Sequence, residues 1–527
     1  LGTLWFGGKI YTLEKEGRQV EAVYVKNGYI IETGSYKHLT KKFKEDIEEL
    51  HDLKGKTMIP GLVDSHLHLI GHGEKLTRLD LSKMTSSQEI LESIKNRVKE
   101  ITPGSWIIGE GWNENQLDDQ RILHKTELDE VSKDHPLLLK RICRHAVIAN
   151  SKALKLANIT GDTPDPAGGV IVKDEENEPT GYLLDQAQEL LFEVAPSPTQ
   201  EELEYVLEAS INDCYQKGLV GAHTEDLAYY GSLDNTLAAF QNVLTKGYKF
   251  RTHLLVHHLV VDEFHQKQRN LGCYGEFGAM KIFADGALGG RTALLSFPYK
   301  DDPTTSGVAI HSKAELAELI VKARNYKMEV AVHVIGDLAF EWILNVIEKY
   351  PPLQGQHDRL IHAQILRKEL IEKAKQLPII LDIQPRFVAS DFPWVTERIG
   401  EEYMETCYAW KTLLQEGIQC AGGSDAPIEP VDPLLGIYAA VTRTSMYNDS
   451  GKSYSPEQKL SVYEAVELFT KGSAYAIHHS HNRGMIKHGY TADFTVFDQD
   501  IFELSHDELL NTTVALTIVD NEIMYKR

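Results

Sequence analysis

Apolar positions in this chain fall into short runs rather than long helical stripes. Near the start, Leu4-Trp5-Phe6, Lys9–Thr12 and Ala22-Val23-Tyr24-Val25 are separated by glycine turns, and Asn27-Gly28 precedes Tyr29-Ile30-Ile31. An Asn-Gly pair between β-rich runs is a strong hairpin signal. The far end has the same character, with Asp493–Phe497 and Val514–Val519, then Asp520-Asn521 and Glu522–Tyr525. Neither end holds enough strands for an independent sheet with a core. Residues 1–58 and 485–527 are therefore expected to pair in one composite β-sandwich domain.

Between the ends, apolar runs recur with helical segments after them, the pattern of successive β/α units. The predicted strands are Gly61–His66, Leu219–His223, Arg251–His257, Ala279–Phe283, Glu329–His333, Arg359–His362, Ile379–Ile383 and Ile418–Gly422. Eight such units predict an α/β fold, a distorted TIM-type (β/α)8 barrel over 59–484, with its chemistry at the C-terminal ends of the strands. Roughly 150 residues separate the first strand from the second, far more than one helix with its loops needs, so an inserted α/β subdomain is expected at about 75–215.

At about 150 residues per domain, a chain of 527 residues has room for this arrangement. Its net charge of −22 makes nucleic acid and anionic membranes unsuitable partners. No apolar run reaches membrane-helix length. Five scattered cysteines without a CxxC pair indicate neither a disulfide framework nor a zinc ribbon, and a reducing cytoplasm is the expected location. Because the chain starts at Leu1, a removed leader stays open, as does a homodimer.

The strongest chemical signal is Val63-Asp64-Ser65-His66-Leu67-His68. Residues i and i+2 share one face of a strand, so His66 and His68 can point together from a strand end and hold one metal. Taken alone, the pair reads equally well as polar residues on a wet face. Other strand ends also finish in ligand-type residues: Val332-His333, Ile361-His362 and Gly423-Ser424-Asp425. Each could be a core or capping residue, Asp425 before Ala426-Pro427 included. Histidines and a carboxylate converging on one rim form a set suited to zinc or another borderline divalent ion.

These residues resemble the amidohydrolase superfamily of metal-dependent hydrolases. More narrowly, the chain resembles the branch that includes N-substituted formamide deformylase (amidohydrolase family 3). The resemblance rests on Pro60–His68, Asn150-Ser151-Lys152-Ala153-Leu154, Pro179-Thr180-Gly181, Asp285-Gly286-Ala287-Leu288-Gly289 and Gly423-Ser424-Asp425-Ala426-Pro427. It implies that Lys281 is carboxylated and bridges two metal ions. His66, His68 and Asp425 would bind the more buried ion, and His333 and His362 the other. Branches with a single ion exist, so one or two ions, zinc for preference, are implied. Without the motif, Lys281 reads as a surface or salt-bridged lysine.

Such a site implies attack by a metal-bound hydroxide, since a metal lowers the pKa of bound water to about 7. Asp425 is then the acid/base candidate, taking a proton on attack and giving it to the leaving amine. His145 and Arg291 are candidate substrate contacts, with a satisfied structural role as an equal alternative for each. His253, His257 and His258 are read as structural, because adjacent strand residues face opposite sides. Tyr403–Trp410 is read as a packed helix rather than a lid. The function implied is hydrolysis of a C–N bond in an amide- or formamide-like small molecule. A deaminase or cyclic-amide hydrolase on the same scaffold, and a non-catalytic metal- or small-molecule-binding protein, are the alternatives.

Overall fold

The structure, a computed structural model, describes residues 2–141, 146–166, 169–446 and 451–527, without the side chain of Asn115. Two compact units divide the chain, one of residues 1–72 and 200–527 and one of 73–199.

The larger unit holds eight parallel strands in sheet order: Cys420–Gly422, Ile379–Ile383, Asp358–His362, Val330–Val334, Gly275–Phe283, Arg251–His257, Leu219–Thr224 and Leu62–Leu67. Every predicted barrel strand is present, displaced by a few residues at most, because strands buried on both faces leave continuous apolar runs. Side chains alternate across them. Val330, Val332 and Val334 pack with the surrounding helices, whereas Leu255, Ala279, Ala331 and Ile361 form their own cluster. Two residues beyond Leu255, Ala279 and Ala331 come His257, Lys281 and His333, on the same face by the two-residue period.

Ladder pairing runs from strand to strand around the barrel but is not continued between the first and the eighth. That seam is closed otherwise. Asp425 N–H donates to the His66 carbonyl at 2.7 Å, and His68 N–H to the Ala426 carbonyl at 2.8 Å. Ser473 Oγ donates to the Val63 carbonyl at 2.9 Å.

Both chain ends contribute to one eight-stranded sheet in the same unit. Its order is Glu522–Lys526, Val514–Val519, Phe494–Phe497, Thr57–Pro60, Gly2–Tyr11, Gln19–Lys26 and Tyr29–Gly34, with Glu49–Asp52 also paired to Gly2–Tyr11. The ends join where Phe494–Phe497 runs antiparallel to Thr57–Pro60. Asn27 and Gly28, at φ of 54° and 76°, make the hairpin turn that their residue types predict. Trp5, Val23 and Val25 share a core with Phe494, Val496 and Ile518.

The smaller unit is a six-stranded mixed sheet with apolar clusters on both faces. Leu137 and Leu139 enter one cluster and Leu138 the other, which explains the unbroken Leu137-Leu138-Leu139 run. Buried Asn150 caps the helix Ser151–Leu156 and also ties it to the sheet. Its Oδ1 accepts from Ala153 and Leu137 N–H at 3.0 Å each, and its Nδ2 donates to the His135 carbonyl at 2.8 Å. Among the described residues, no helix is long and apolar enough to cross a membrane.

Because the shared core draws on both ends, residues 1–60 alone should not fold. Limited proteolysis under native conditions is expected to release no stable N-terminal fragment. Recovery of such a fragment with a cooperative unfolding transition would contradict the shared core.

Candidate metal centre

His66, on the first strand, and His68, just beyond it, lie with ring centroids 5.5 Å apart. From the eighth-strand end, Asp425 places Oδ1 3.5 Å from Nε2 of both rings. His362 is 5.8 Å from His66 and 4.6 Å from His333, centroid to centroid. Lys281 Nζ is 3.3 Å from His66 Nε2. All six residues predicted as ligands thus converge on one rim. Donor atoms of His66, His362 and Asp425 lie within 4.8 Å of one another, a grouping that a metal ion can hold.

Partners on the far side of three rings decide which nitrogen faces this centre. The Nδ1 atom of His68 is turned to the Glu225 carbonyl, and Nδ1 of His362 to Gln384 Oε1 at 2.7 Å, leaving Nε2 inward in both. His333 is reversed: its Nε2 meets the Gly286 carbonyl at 3.0 Å, which leaves Nδ1 free. The Nδ1 atom of His66 is buried without a partner.

Charge is distributed unevenly among these groups. Burial, then the nearby Lys281 cation, keeps His66 well below the usual imidazole range. Burial also lowers His333 and His362, so all three are neutral donors near pH 7. Burial opposes protonation of His68 too, but the carboxylates of Asp425, Glu225 and Asp226 together outweigh it and lift His68 to about 9. Burial would likewise raise Asp425, yet His68, His362 and Lys281 together hold it below the usual carboxylate range. Lys281 is 1% exposed, and burial lowers its amine.

A second layer, to whose residues the sequence assigned no role, fixes the first. Buried Asp64 accepts from His66 N–H at 3.0 Å and from Ser424 N–H at 3.1 and 3.0 Å, joining the two ligand-bearing strand ends. Gly423 is required there, since a Cβ would come 2.6 Å from the His66 nitrogen. Beneath, Arg359 donates to the Ser65 carbonyl and pairs with Asp382, which also accepts from Ser65 Oγ. Glu225 receives the Tyr229 hydroxyl at 2.7 Å and stands 3.9 Å from His68 Nδ1. Asp285, from the Asp285–Gly289 motif, accepts N–H groups of Leu294, Ile335 and Gly336 at 2.8 to 3.0 Å and so organises the loop beside His333.

Other predicted residues are placed differently. Arg291 forms a two-pronged pair with Asp301 at 3.1 and 2.7 Å; among the described residues, no hydrogen bond or ion pair brings it to the histidines. His145 lies outside the described residues. His257 and His258 do not splay apart; their rings stack at 4.6 Å, because the strand ends at His257 and His258 lies in the turn beyond it. Tyr408 and Trp410 are buried, with the Tyr408 hydroxyl on Asp391 at 2.6 Å, and the stretch before them is a 3-10 turn, Glu401–Thr406.

Residues 49–525 match the amidohydrolase family. The chain is 54% identical over 525 residues to a Bacillus subtilis protein named as an amidohydrolase, YtcJ, with 99% of each covered. It is 27% identical over 540 residues to the N-substituted formamide deformylase of Arthrobacter pascens, covering 98% of this chain and 97% of that one. Among solved structures, an uncharacterised metal-dependent hydrolase from Pyrococcus horikoshii superposes with a TM-score of 0.82 at 29% identity, over 96% of this chain and 99% of that one.

Replacing Asp64 by Ala orphans the buried N–H groups of His66 and Ser424. Each orphan is expected to cost about 1–3 kcal/mol. Equilibrium denaturation should show the loss, with metal affinity falling in parallel. An Asp64→Ala protein of unchanged stability would remove Asp64 from this role.

Proposed function

Because the chain belongs to the amidohydrolase family, we propose that it hydrolyses the C–N bond of an amide- or formamide-like small molecule whose nitrogen carries an apolar group. The observation that carries this reading is the convergence of four histidines, a buried lysine and Asp425 on one rim, with three of the imidazoles held neutral. The donors suit zinc, a borderline ion that takes imidazole and carboxylate ligands. His66, His68 and Asp425 would hold one ion, and His333 and His362 a second. A divalent ion there supplies an acidified water and polarises the scissile carbonyl.

Lys281 would bridge as a carbamate. Only the neutral amine adds CO2, and burial favours that form. The product is an anion that three neutral imidazoles can surround without repulsion.

Asp425 stays ionised, so it can take a proton at Oδ1 during attack and return it to the departing nitrogen. Aromatic side chains stand around the donors. Phe283 is 5.2 Å from His333 and Phe387 6.1 Å from His362, while Tyr229 is 6.4 Å from His68 and 5.6 Å from His257, centroid to centroid. This collar favours an apolar or aryl substituent on the amide nitrogen. The 27% identical deformylase acts, by its name, on N-substituted formamides.

Screening the metal-loaded protein on formamides, amides, lactams and aminopyrimidines tests the reading. N-aryl or N-alkyl formamides should be turned over fastest, and chelation should abolish turnover. Preferred release of ammonia from an aminopyrimidine would overturn it. On the best substrate, Asp425→Asn should lower kcat by about 10²- to 10⁴-fold. A near-normal kcat with metal retained would transfer the proton role elsewhere.

Lys281→Ala should lose metal and activity together. Short carboxylic acids added to the medium should restore part of both by standing in for the carbamate. Unchanged metal content and turnover in Lys281→Ala would exclude the bridge.

A further inference from the structure

A second cluster of ligand-type side chains lies at the other end of the barrel strands. Glu329 immediately precedes the strand Val330–Val334, which carries His333 near its far end; His357 immediately precedes Asp358–His362, which ends in His362. At about 3.3 Å per residue, Glu329 and His357 stand roughly 13 to 17 Å from those histidines. His478 arrives from the segment after the helix Ser473–Ala476. One donor atom from each of Glu329, His357 and His478 lies within 4.8 Å of the other two.

Several features exceed an ordinary ion pair. His357 is 6% exposed, and its Nε2 is buried with no hydrogen-bond partner. Its ring is clamped by Tyr475, stacked at 4.8 Å and 10°, and lies 4.3 Å from the His478 ring. A single Glu329 oxygen, Oε1, accepts from the backbone N–H of His357, at 2.6 Å, and meets His478 Nε2, at 2.7 Å. Burial pushes His357 down to about 4, so its ring is neutral near pH 7, and one of its nitrogens lies within 4.8 Å of a Glu329 oxygen. The His478 side chain is 42% exposed, which gives an incoming ion a route and leaves coordination positions for water.

The neighbouring Glu276 also meets two histidines, His253 and His479, but it meets Arg483 as well at 3.5 Å, and a guanidinium there repels a cation. Among the described residues, no such cation is paired with Glu329.

We propose that Glu329, His357 and His478 form a second divalent-cation site of the zinc type, separate from the hydrolytic centre. Two imidazoles and one carboxylate make a borderline donor set. An ion bound there would lose the Glu329–His478 hydrogen bond and gain the His357 lone pair. It would pin the segment after Ala476 to the entrances of the two strands that deliver His333 and His362, a structural function.

The test compares metal uptake by full-length wild type, His478→Ala and Glu329→Gln after chelator stripping and titration with Zn(II), then Co(II), at mildly alkaline pH. Wild type should take up one equivalent more than either variant, and the Co(II) absorption bands of that equivalent should be missing from both. Zn(II) should also raise the unfolding midpoint of wild type further than that of His478→Ala. His478 is part-exposed and outside the apolar core clusters, so its replacement leaves the core intact. Equal uptake and equal midpoint shifts in wild type and His478→Ala would overturn the site and leave a plain Glu–His ion pair. Because the difference is read between proteins that all keep the His66–Asp425 centre, failure of the hydrolytic reading would leave this result standing.

Discussion

The barrel depends on how its first and last strands meet. Seven strand-to-strand contacts are backbone ladders, but this one is made by crossing bonds at the rim and by the buried carboxylate of Asp64. A regular ladder would fix the two strand ends at one spacing. The carboxylate instead accepts from the backbone of His66 on one side and Ser424 on the other, so the residues flanking it are positioned by a group chosen for that purpose. Asp425 and the HxH pair thereby meet over two hydrogen-bonded bridges, with Gly423 leaving room for them. Burial lifts Asp64 to about 7 even against these N–H donors.

Much of this was legible in the sequence. Parallel strands covered on both faces leave apolar runs, and the two-residue period brings Lys281 and His333 onto the face of Ala279 and Ala331. The convergence of His66, His68, His333, His362 and Asp425 follows from strand ends sharing a rim. Asp64 was less visible: inside a motif it reads as one more polar residue, and it acts by tying the neighbouring His66 N–H to a Ser424 N–H 360 positions away. Glu225 and Asp382 act through His68 and Arg359, contacts without local periodicity. For Arg291 the sequence left a substrate contact and a satisfied structural role equally open, because no period relates it to its ion-pair partner Asp301. Lys281 needed the family resemblance, since a lone lysine in a strand carries no sign that it will be buried.

Electrostatics at the rim follow from the same packing. A net charge of −22 is spread over the whole chain, yet the centre collects imidazoles and an amine around one principal carboxylate. Burial keeps His66, His333 and His362 neutral and pushes the Lys281 amine down, while Asp425 stays ionised. A dication arriving there meets lone pairs on three neutral imidazoles and displaces the proton that His68 holds.

The sharing of one sheet by both chain ends also bears on how the protein is made. Leu62 and Thr495, hydrogen-bonded at the junction of the barrel and that sheet, are 433 residues apart. At about 5–20 residues per second, the ribosome needs roughly 20–90 s to deliver the second after the first. Throughout that interval Thr57–Pro60 lacks its neighbour Phe494–Phe497, and an apolar strand edge is left open while the barrel assembles behind it. Synthesis of the chain therefore carries a window of exposure to association at its amino end, which closes only when its final strands emerge.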